Sequence, residues 1–277
     1  MSILEESAAR VLDRLGPVGE ALTVDRLVVG LFFTGVKLSD GAGGVCYTPV
    51  KEIPEAVCCP SSAGRVFDPV RATDRPAAEF LGALGSREPL KRAVAVAVLN
   101  ALTASAWDRA SDLPYTIERG RDAQDLLPLG TDGSVAVVGA LVPVMRRLKQ
   151  RGGRWWVVEQ DPRTLRPDER PHFVPWEQAD EILTQADVLV VTGVTLLNGT
   201  LEPILENARP DAFVAVLGPT ASMEPEPLFA RGVDVAGGVW VRRADRLLDV
   251  LAAGGSGYHV FDELAERVAI RRATADG

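Results

Sequence analysis

The second half of the chain alternates apolar runs with stretches of helical pattern, and this alternation constrains the fold more than any other feature. Five runs between residues 134 and 241 read as strands: SVAVVG, RWWVVEQ, DVLVVTG, AFVAVLG and VDVAGGVWV. Roughly 12 to 20 residues of helical periodicity separate most of them, as expected for crossovers between parallel strands. Strands that are apolar on both faces are typical of a sheet covered by helices on both sides. The sequence therefore predicts a Rossmann-like α/β domain with a mainly parallel sheet over residues 130–277.

Helices are predicted between these strands and after the last one. The pattern places them at residues 142–150, 176–185, 199–206, 226–231 and 244–253. Three glycines at positions 254, 255 and 257 then interrupt the regular structure with a flexible segment. The apolar spacing that follows predicts a final amphipathic helix over residues 260–270. That helix packs on its own domain or on a partner.

The first half follows a different pattern, typical of a small α+β domain. Apolar residues spaced by three and four predict an amphipathic helix from Ile3 to Leu15. Two β-rich runs, residues 27–34 and 45–48, and a short segment at 36–39 predict an antiparallel meander with turns at Gly35 and at residues 40–44. Helices are expected at 77–84 and 88–107. We assign residues 1–110 to this domain and 111–129, with prolines at 114 and 128, to a linker.

Composition excludes several classes of function. The net charge is −8 and no long Lys/Arg run is present, which argues against a nucleic-acid partner. No run approaches the roughly 18 apolar residues of a membrane span, and the first ten residues carry acids where a signal peptide carries bases. A cytoplasmic protein without a membrane partner is expected, and its three cysteines are expected to be reduced.

The strongest candidate for a ligand site is the stretch VVTGVTLLNGTLEPIL, residues 190–205, in which an apolar strand ends in small and hydroxylated residues before a helix. The next strand repeats this layout in VLGPTASM. Ligands of open α/β sheets bind at the carboxyl ends of strands. The candidate binding residues here are Thr192, Thr195, Asn198, Thr200, Gly218, Pro219 and Thr220. Capping of the following helix is the alternative role for Asn198 and Thr200.

Two further elements complete the predicted cleft. Glu159 ends the second strand of the Rossmann-like domain, where a dinucleotide fold places the acid that binds a ribose. The glycine fingerprint is missing, because Gly139 is followed by ALVPV, and Glu159 has the alternative role of a solvated strand-end acid. Gly43 and Gly44 of the first domain belong to a glycine-rich loop that either contacts a ligand or forms a hairpin turn. Thr48, at the end of the strand that follows this loop, is expected to face the same ligand.

Metal ligands of familiar spacing are absent from the sequence. Cys46 and His172 are weak candidates, and the vicinal Cys58 and Cys59 cannot chelate as a CxxC turn does. Standard serine-hydrolase, zinc-protease and P-loop motifs are also missing. The residues leave open whether any reaction is catalysed.

Several motifs together resemble the two-domain bacterial and archaeal proteins of the heavy-metal chelation family, catalogued as a domain of unknown function. The carrying segments are GLFFTGVKLSDGAGGVCYTP, VVGALVPVMRRLK, VVEQDP, TGVTLLNGTLEPIL and VLGPTASM, and the match extends over nearly the whole chain. The resemblance implies an enolase N-terminal-like domain joined to a Rossmann-like domain, a site in the cleft between them, and a heavy-metal ion as the bound species.

Three hypotheses follow. The first is that the cleft binds a small polar or metal-bearing ligand, in heavy-metal chelation or in the metabolism of a metal chelator or cofactor. The second is an enzyme acting on a nucleotide or adenosyl-type ligand, based on the spacing from Gly139 to Glu159. The third is a non-catalytic assembly protein, for example a homodimer paired through its final helix.

Overall fold

The computed structural model describes residues 1–53, 68–130 and 132–273. Cys58 and Cys59 lie outside the described residues. The first part of the chain contains a three-stranded antiparallel sheet in the order β1-β2-β3. Its strands are β1 (Val24–Val29), β2 (Phe33–Leu38) and β3 (Gly43–Tyr47).

The second part is built on an eight-stranded sheet in the order β4-β11-β10-β9-β8-β5-β6-β7. From β10 to β7 all neighbours are parallel, whereas β11 pairs antiparallel with both β10 and β4. The strands are β4 (Tyr115–Arg119), β5 (Val135–Val138), β6 (Trp155–Glu159), β7 (Phe173–Pro175), β8 (Val188–Thr192), β9 (Phe213–Leu217), β10 (Val235–Val241) and β11 (Ala265–Arg272). The predicted change from an α+β first part to a mainly parallel sheet is confirmed.

Helices connect and cover the strands. They are α1 (Ile3–Leu15), α2 (Pro17–Ala21), α3 (Ala77–Leu81), α4 (Pro89–Arg109), α5 (Val142–Arg151), α6 (Ala179–Leu183), α7 (Val194–Asn198), α8 (Leu201–Asn207), α9 (Glu226–Ala230), α10 (Ala244–Ala252) and α11 (Gly257–Val260). Short 3-10 turns link several of them. Within the described residues, no helix has both the length and the apolar character that a bilayer crossing requires.

Helix α4 is buried along most of its length because it is apolar nearly all round. Its residues from Ala93 to Trp107 are buried, and it packs against β2, β3 and α1. The hydrophobic cluster that contains α4 extends from Ile3 through Val36 and Leu99 to Val191 and Ile270. The small sheet and the large sheet therefore share one hydrophobic core.

The predicted C-terminal helix is wrong. Residues 265–272 form β11, which pairs on both sides with β10 and β4. Val260, Leu264 and Val268 are spaced by four residues, and this spacing is typical of a helix. In the structure, Val268, Ala269 and Ile270 are buried because the segment is a strand between two other strands. Pairing on both edges decides between the two structures, because strand preference depends on tertiary context. The assembly hypothesis loses the helix on which it was based.

Three local expectations also change. The predicted run at residues 27–34 is interrupted by a turn at residues 30–32, and Gly35, expected in a turn, lies inside β2 opposite Val45. A Cβ at Gly35 would lie 2.7 Å from Leu248 Cδ2, so this glycine lets α10 pack closely on the small sheet. The expected linker contains β4, so part of it belongs to the large sheet.

Candidate ligand-binding cleft

A cavity of about 900 Å³ lies where the small sheet meets the end of β9 and the middle of β10. Clefts of a few hundred to about 1,000 Å³ are the usual size for small-molecule sites. Its walls come from the β2 and β3 region, the 3-10 turn that follows β4, the start of α5, the end of β9, β10, the segment around α11, and β11. The lining residues are Phe32, Phe33, Tyr47, Asp122, Ala123, Gln124, Leu141, Pro143, Val144, Leu217, Gly218, Pro219, Gly237, Gly238, Val239, Ser256, Gly257, Tyr258, Phe261, Arg267 and Val268.

Glycines form one wall of this cavity because larger residues would not fit there. Gly218 has φ +130°, a backbone conformation that favours glycine, and its N–H donates to the carbonyl of Gly237. A Cβ at Gly237 would lie 2.6 Å from Ala123 Cβ, and one at Gly238 would lie 2.6 Å from Ser222 Oγ. The two glycines of β10 therefore let Ala123 and Ser222 pack directly against its backbone.

Aromatic side chains form much of the remaining surface. Phe33 and Phe261 meet edge to face with ring centroids 5.8 Å apart. Phe32 and Tyr258 stand at the rim, with 43% and 93% of their surfaces exposed. An almost fully exposed tyrosine beside an apolar cavity leaves apolar surface that a bound ligand would cover.

Asp122 and Arg267 are the charged side chains in the cavity lining. Asp122 accepts hydrogen bonds from the backbone and side-chain amides of Gln124, and its Oδ2 lies 3.3 Å from Arg267 Nε. Arg267 also donates to both carboxylate oxygens of Asp262, at 2.8 and 2.6 Å. The guanidinium is thus paired with two carboxylates.

Tyr47 adds a hydroxyl group to the cavity lining. Its backbone N–H donates to Thr220 Oγ1 at 3.1 Å, which ties β3 to the β9 exit. Burial raises the pKa of the Tyr47 phenol, and the negative charges of Glu52 and Glu159 raise it further. The hydroxyl therefore stays protonated and can donate to a ligand.

Gly218 and Pro219 are the two predicted site residues that the structure brings to the cavity wall. Thr220, beside them, is buried and accepts from Tyr47, so its side chain joins the two sheets. Asn100 of α4 strengthens the same junction, with its amide donating to the carbonyls of Val45, Pro219 and Thr220.

The TGVTLLNGT segment uses its polar groups internally. Thr195 is buried and its hydroxyl donates to the carbonyl of Thr192 at 2.7 Å, while Thr192 Oγ1 lies 3.4 Å from the N–H of Val194. Asn198 ends α7, and its Oδ1 accepts from both the N–H and the hydroxyl of Thr200. Asn198 therefore stabilises the turn at Gly199, where φ is +74°, and Thr200 occupies the N-cap position of α8 without a side-chain cap.

Glu159 also has backbone partners. One carboxylate oxygen accepts from the N–H of Ala140 at 3.2 Å and the other from its neighbour Gln160 at 2.8 Å. Glu159 thereby links the ends of β5 and β6. Gly139, before Ala140, has φ +89° and packs against Thr192.

Gly43 and Gly44, predicted in a loop, are the first residues of β3 and are packed inward. Gly44 faces α4 so closely that a Cβ would overlap backbone atoms of Ala97 and Ala101, and Gly43 packs on Val241. Thr48 is buried, with its hydroxyl 3.0 Å from that of Thr34. These glycines set the contact between β3 and its neighbours.

The two weak metal candidates are in different surroundings. Cys46 is fully buried, and burial raises the pKa of its thiol far above the usual range, so it stays a thiol. His172 stacks on Trp155 at 3.5 Å, with Nδ1 3.0 Å from that residue's carbonyl oxygen. Within the described residues, no three His, Cys, Asp or Glu side chains are grouped to hold a metal ion.

Sequence reasoning missed the aromatic lining and the charged side chains beside it. The sequence predicts Phe32 and Phe33 within one strand and Phe261 and Arg267 within the final helix, and it gives Tyr258 no role. The signal was present in GSGYHVF at residues 255–261, where aromatics follow glycines next to a strand. Only the pairing of β11 brings that segment to the β9 exit.

Two models of the family described as "Putative heavy-metal chelation" match the chain, DUF4213 over residues 12–103 and DUF364 over residues 122–270. The chain belongs to this family. A curated relative, an uncharacterized protein of Methanocaldococcus jannaschii, is 27% identical over 158 residues, which cover 56% of each sequence. The match thus spans about half the length of that relative.

Two solved structures of the DUF364 family share the fold over almost their whole length. The protein from Pyrococcus horikoshii aligns with a TM-score of 0.76 and 21% identity, covering 98% of this chain and 100% of its own. The protein from Desulfitobacterium hafniense DCB-2 has a TM-score of 0.72 and 18% identity, covering 97% of this chain and 98% of its own. Both are described as proteins with unknown function. At these identities the likeness concerns the fold.

Proposed function

We propose that the protein binds a small, flat organic ligand in the cleft, and that a heavy metal is bound as part of such a ligand. The observation that supports this most directly is the cavity of about 900 Å³, which is lined by several glycines and by five aromatic side chains. Aromatic rings bind planar groups by stacking, and backbone without side chains permits close approach. The enolase N-terminal-like and Rossmann-like assignments of the two parts stay predictions.

The family description refers to heavy metals, and the donor atoms do not fit a bare ion. A soft-metal site needs several thiolate or imidazole ligands within one coordination sphere. Cys46 is a buried thiol, His172 is stacked on Trp155, and neither belongs to a group of three donors among the described residues. A ligand that supplies its own donor atoms would remove this requirement.

Binding can be tested with 1,10-phenanthroline, a flat chelator that is uncharged at pH 8. We expect saturable binding of phenanthroline and of its one-to-one Ni²⁺ complex by calorimetry, and no saturable binding of Ni²⁺, Co²⁺, Cu²⁺, Zn²⁺, Fe²⁺ or molybdate alone. Phe32→Ala and Tyr258→Ala should each weaken phenanthroline binding about fivefold, because stacking contributes roughly 1 kcal/mol.

Val18→Ala provides a matched control, since Val18 is an exposed apolar residue of α2 outside the cavity lining. It should leave binding unchanged. Two results would refute the cleft as the site: phenanthroline binding that does not saturate, or equal phenanthroline affinities of the original protein and both rim variants. Tight binding of a free metal ion would refute the role given to the chelating ligand.

A further inference from the structure

The charged and amide side chains in the cavity lining are already bound within the protein. Asp122 Oδ2 lies 3.3 Å from Arg267 Nε and accepts from the side-chain amide of Gln124 at 2.8 Å. Gln124 Oε1 is buried. Arg267 also donates to Asp262, at 2.8 and 2.6 Å, and its guanidinium lies over the Phe261 ring, 6.0 Å from the centroid. The hydroxyl groups are therefore the side-chain polar groups that a ligand can use.

Three hydroxyl groups belong to the lining, and they differ in what already binds them. Ser256 Oγ lies 3.0 Å from His259 Nδ1, as part of a capping box. Tyr258 is 93% exposed, so water competes for its hydroxyl. Tyr47 is partly buried, and within the described residues its hydroxyl has no hydrogen-bond partner. A hydrogen bond from a ligand therefore contributes most at Tyr47.

The position of Tyr47 in the small sheet directs its ring to the cavity. Tyr47 lies opposite Phe33 in the antiparallel pair of β2 and β3, and directly opposed residues project from the same face of a sheet. Phe33 lines the cavity and meets Phe261 edge to face. The backbone N–H of Tyr47 donates to Thr220 Oγ1 at 3.1 Å, which holds this residue in place. Its hydroxyl is thus a preorganised group, and little ordering is needed when a ligand binds.

We propose that the Tyr47 hydroxyl selects the ligand of the cleft by donating a hydrogen bond to an acceptor atom at the edge of a flat aromatic heterocycle. This inference rests on the proposed function and names its ligand class. In a metal-bearing ligand, this acceptor would be separate from the atoms that hold the metal.

The chemistry of a phenol explains the direction of this hydrogen bond. Tyrosine has an ordinary pKa of about 10 and burial raises the pKa of Tyr47, so the hydroxyl keeps its proton at pH 8. A phenol donates better than it accepts, because the ring withdraws electron density from the oxygen. A ligand without an acceptor would leave this hydroxyl unpaired in a largely apolar cavity, and unpaired polar groups are a strong source of discrimination between ligands.

Two probes of the same three-ring shape test the acceptor directly. Phenanthridine has one ring nitrogen, and phenanthrene has C–H in its place; both are uncharged at pH 8. Equilibrium dialysis at low probe concentration, with the protein concentration varied, gives the affinity of each. We expect Tyr47→Phe to weaken phenanthridine about fivefold and to leave phenanthrene within about twofold, because the substitution removes the donor and keeps the ring.

A control variant and a spectroscopic measurement separate recognition from a change in structure. Thr184→Val removes a hydroxyl from an exposed residue after α6, outside the cavity lining, and should change neither affinity. The ring nitrogen of ¹⁵N-labelled phenanthridine bound to the original protein should resonate upfield of its position in an apolar solvent, because a donor shields the nitrogen. The Tyr47→Phe complex should lack this shift. The measurement on the original protein stays informative if Tyr47→Phe does not fold.

The outcomes separate this inference from the proposed function. Equal weakening of phenanthridine and phenanthrene by Tyr47→Phe, or no weakening of phenanthridine, would overturn the role of the hydroxyl while leaving the cleft as a binding site. A bound ring nitrogen that resonates as in an apolar solvent would overturn it as well. Failure of phenanthroline, phenanthridine and phenanthrene all to bind would overturn the cleft itself.

Discussion

Asn100 is the side chain whose replacement most directly tests how the two sheets are held together. It is 2% exposed on α4, and its amide nitrogen lies 2.8 Å from the carbonyl oxygen of Val45, 3.3 Å from that of Pro219 and 3.2 Å from that of Thr220. Three acceptors therefore converge on one donor group. Two of these carbonyls belong to the β9 exit and the third to β3, so Asn100 positions both walls of the cleft.

Asn100→Asp keeps the size of the side chain and removes its donors. The carboxylate would face three carbonyl oxygens in a buried site, so folding must either desolvate an unpaired charge or take up a proton. Uncompensated buried charges cost roughly 3 to 5 kcal/mol. For a chain of this length, about 2 to 4 °C of Tm is lost per kcal/mol, which gives a decrease of roughly 6 to 20 °C at pH 8.

Thermal unfolding followed by circular dichroism at pH 5 and pH 8 measures the effect. The loss should be smaller at pH 5, because the native state favours the protonated carboxyl and its stability then falls as pH rises. Asn207→Asp provides the control, since Asn207 makes one exposed side-chain contact, with Asp180, and its replacement should cost less than about 1 kcal/mol. If Asn100→Asp lowers Tm no more than Asn207→Asp, the donor role of Asn100 is refuted.

Three further predictions concern the shared core and the large sheet. Gly44→Ala places a Cβ against the backbone of α4 and should lower the free energy of unfolding by roughly 3 kcal/mol or more. A free energy of unfolding, measured by chemical denaturation, within about 1 kcal/mol of that of the original protein would contradict this packing. Glu224 is fully buried, and burial raises its pKa, so the folded protein loses stability as the pH rises above the ordinary carboxyl range. Glu224→Gln should therefore raise Tm more at pH 8 than at pH 5. The opposite trend would be inconsistent with a desolvated carboxyl. Truncation after Gly254 removes β11 and leaves β4 without its partner, so we expect loss of cooperative unfolding, whereas a truncated protein that melts like the full chain would show that β11 is dispensable.

The sequence predicted the parallel part of the large sheet well because its strands are short, apolar and separated by helical spacing. β5, β6, β8 and β9 lie inside the predicted runs, and α5 and α10 begin at the predicted residues, 142 and 244. Such patterns arise from burial on both faces, which is a local property of the chain. The antiparallel strands β4 and β11 carry no comparable signal. β4 and β11 pair with each other although about 150 residues separate them in the chain.

Of the residues predicted to bind a ligand, two line the cavity. Gly218 and Pro219 reach the cavity, whereas Thr195, Thr220 and Thr48 have hydroxyls that bond within the protein. A threonine that binds a ligand and one that stabilises a turn look the same in a sequence, because both occur at strand ends. Distinguishing them requires knowing which hydroxyls already have a partner. The binding role of these residues stays a prediction.

The shared core also limits how the cleft can respond to a ligand. Closure by hinge motion requires two bodies whose interface can open, and it is the default expectation for separate domains. Here α4 packs on the small sheet and belongs to the same hydrophobic cluster as β8 and β11, while Asn100 and Thr220 join β3 to the β9 exit through buried hydrogen bonds. Separating the sheets would expose these groups at a cost of several kcal/mol. The walls are therefore preformed, and a ligand must be recognised by the shape and charge of the cavity as it stands, with the exposed rim at Phe32 and Tyr258 as the part that can adjust.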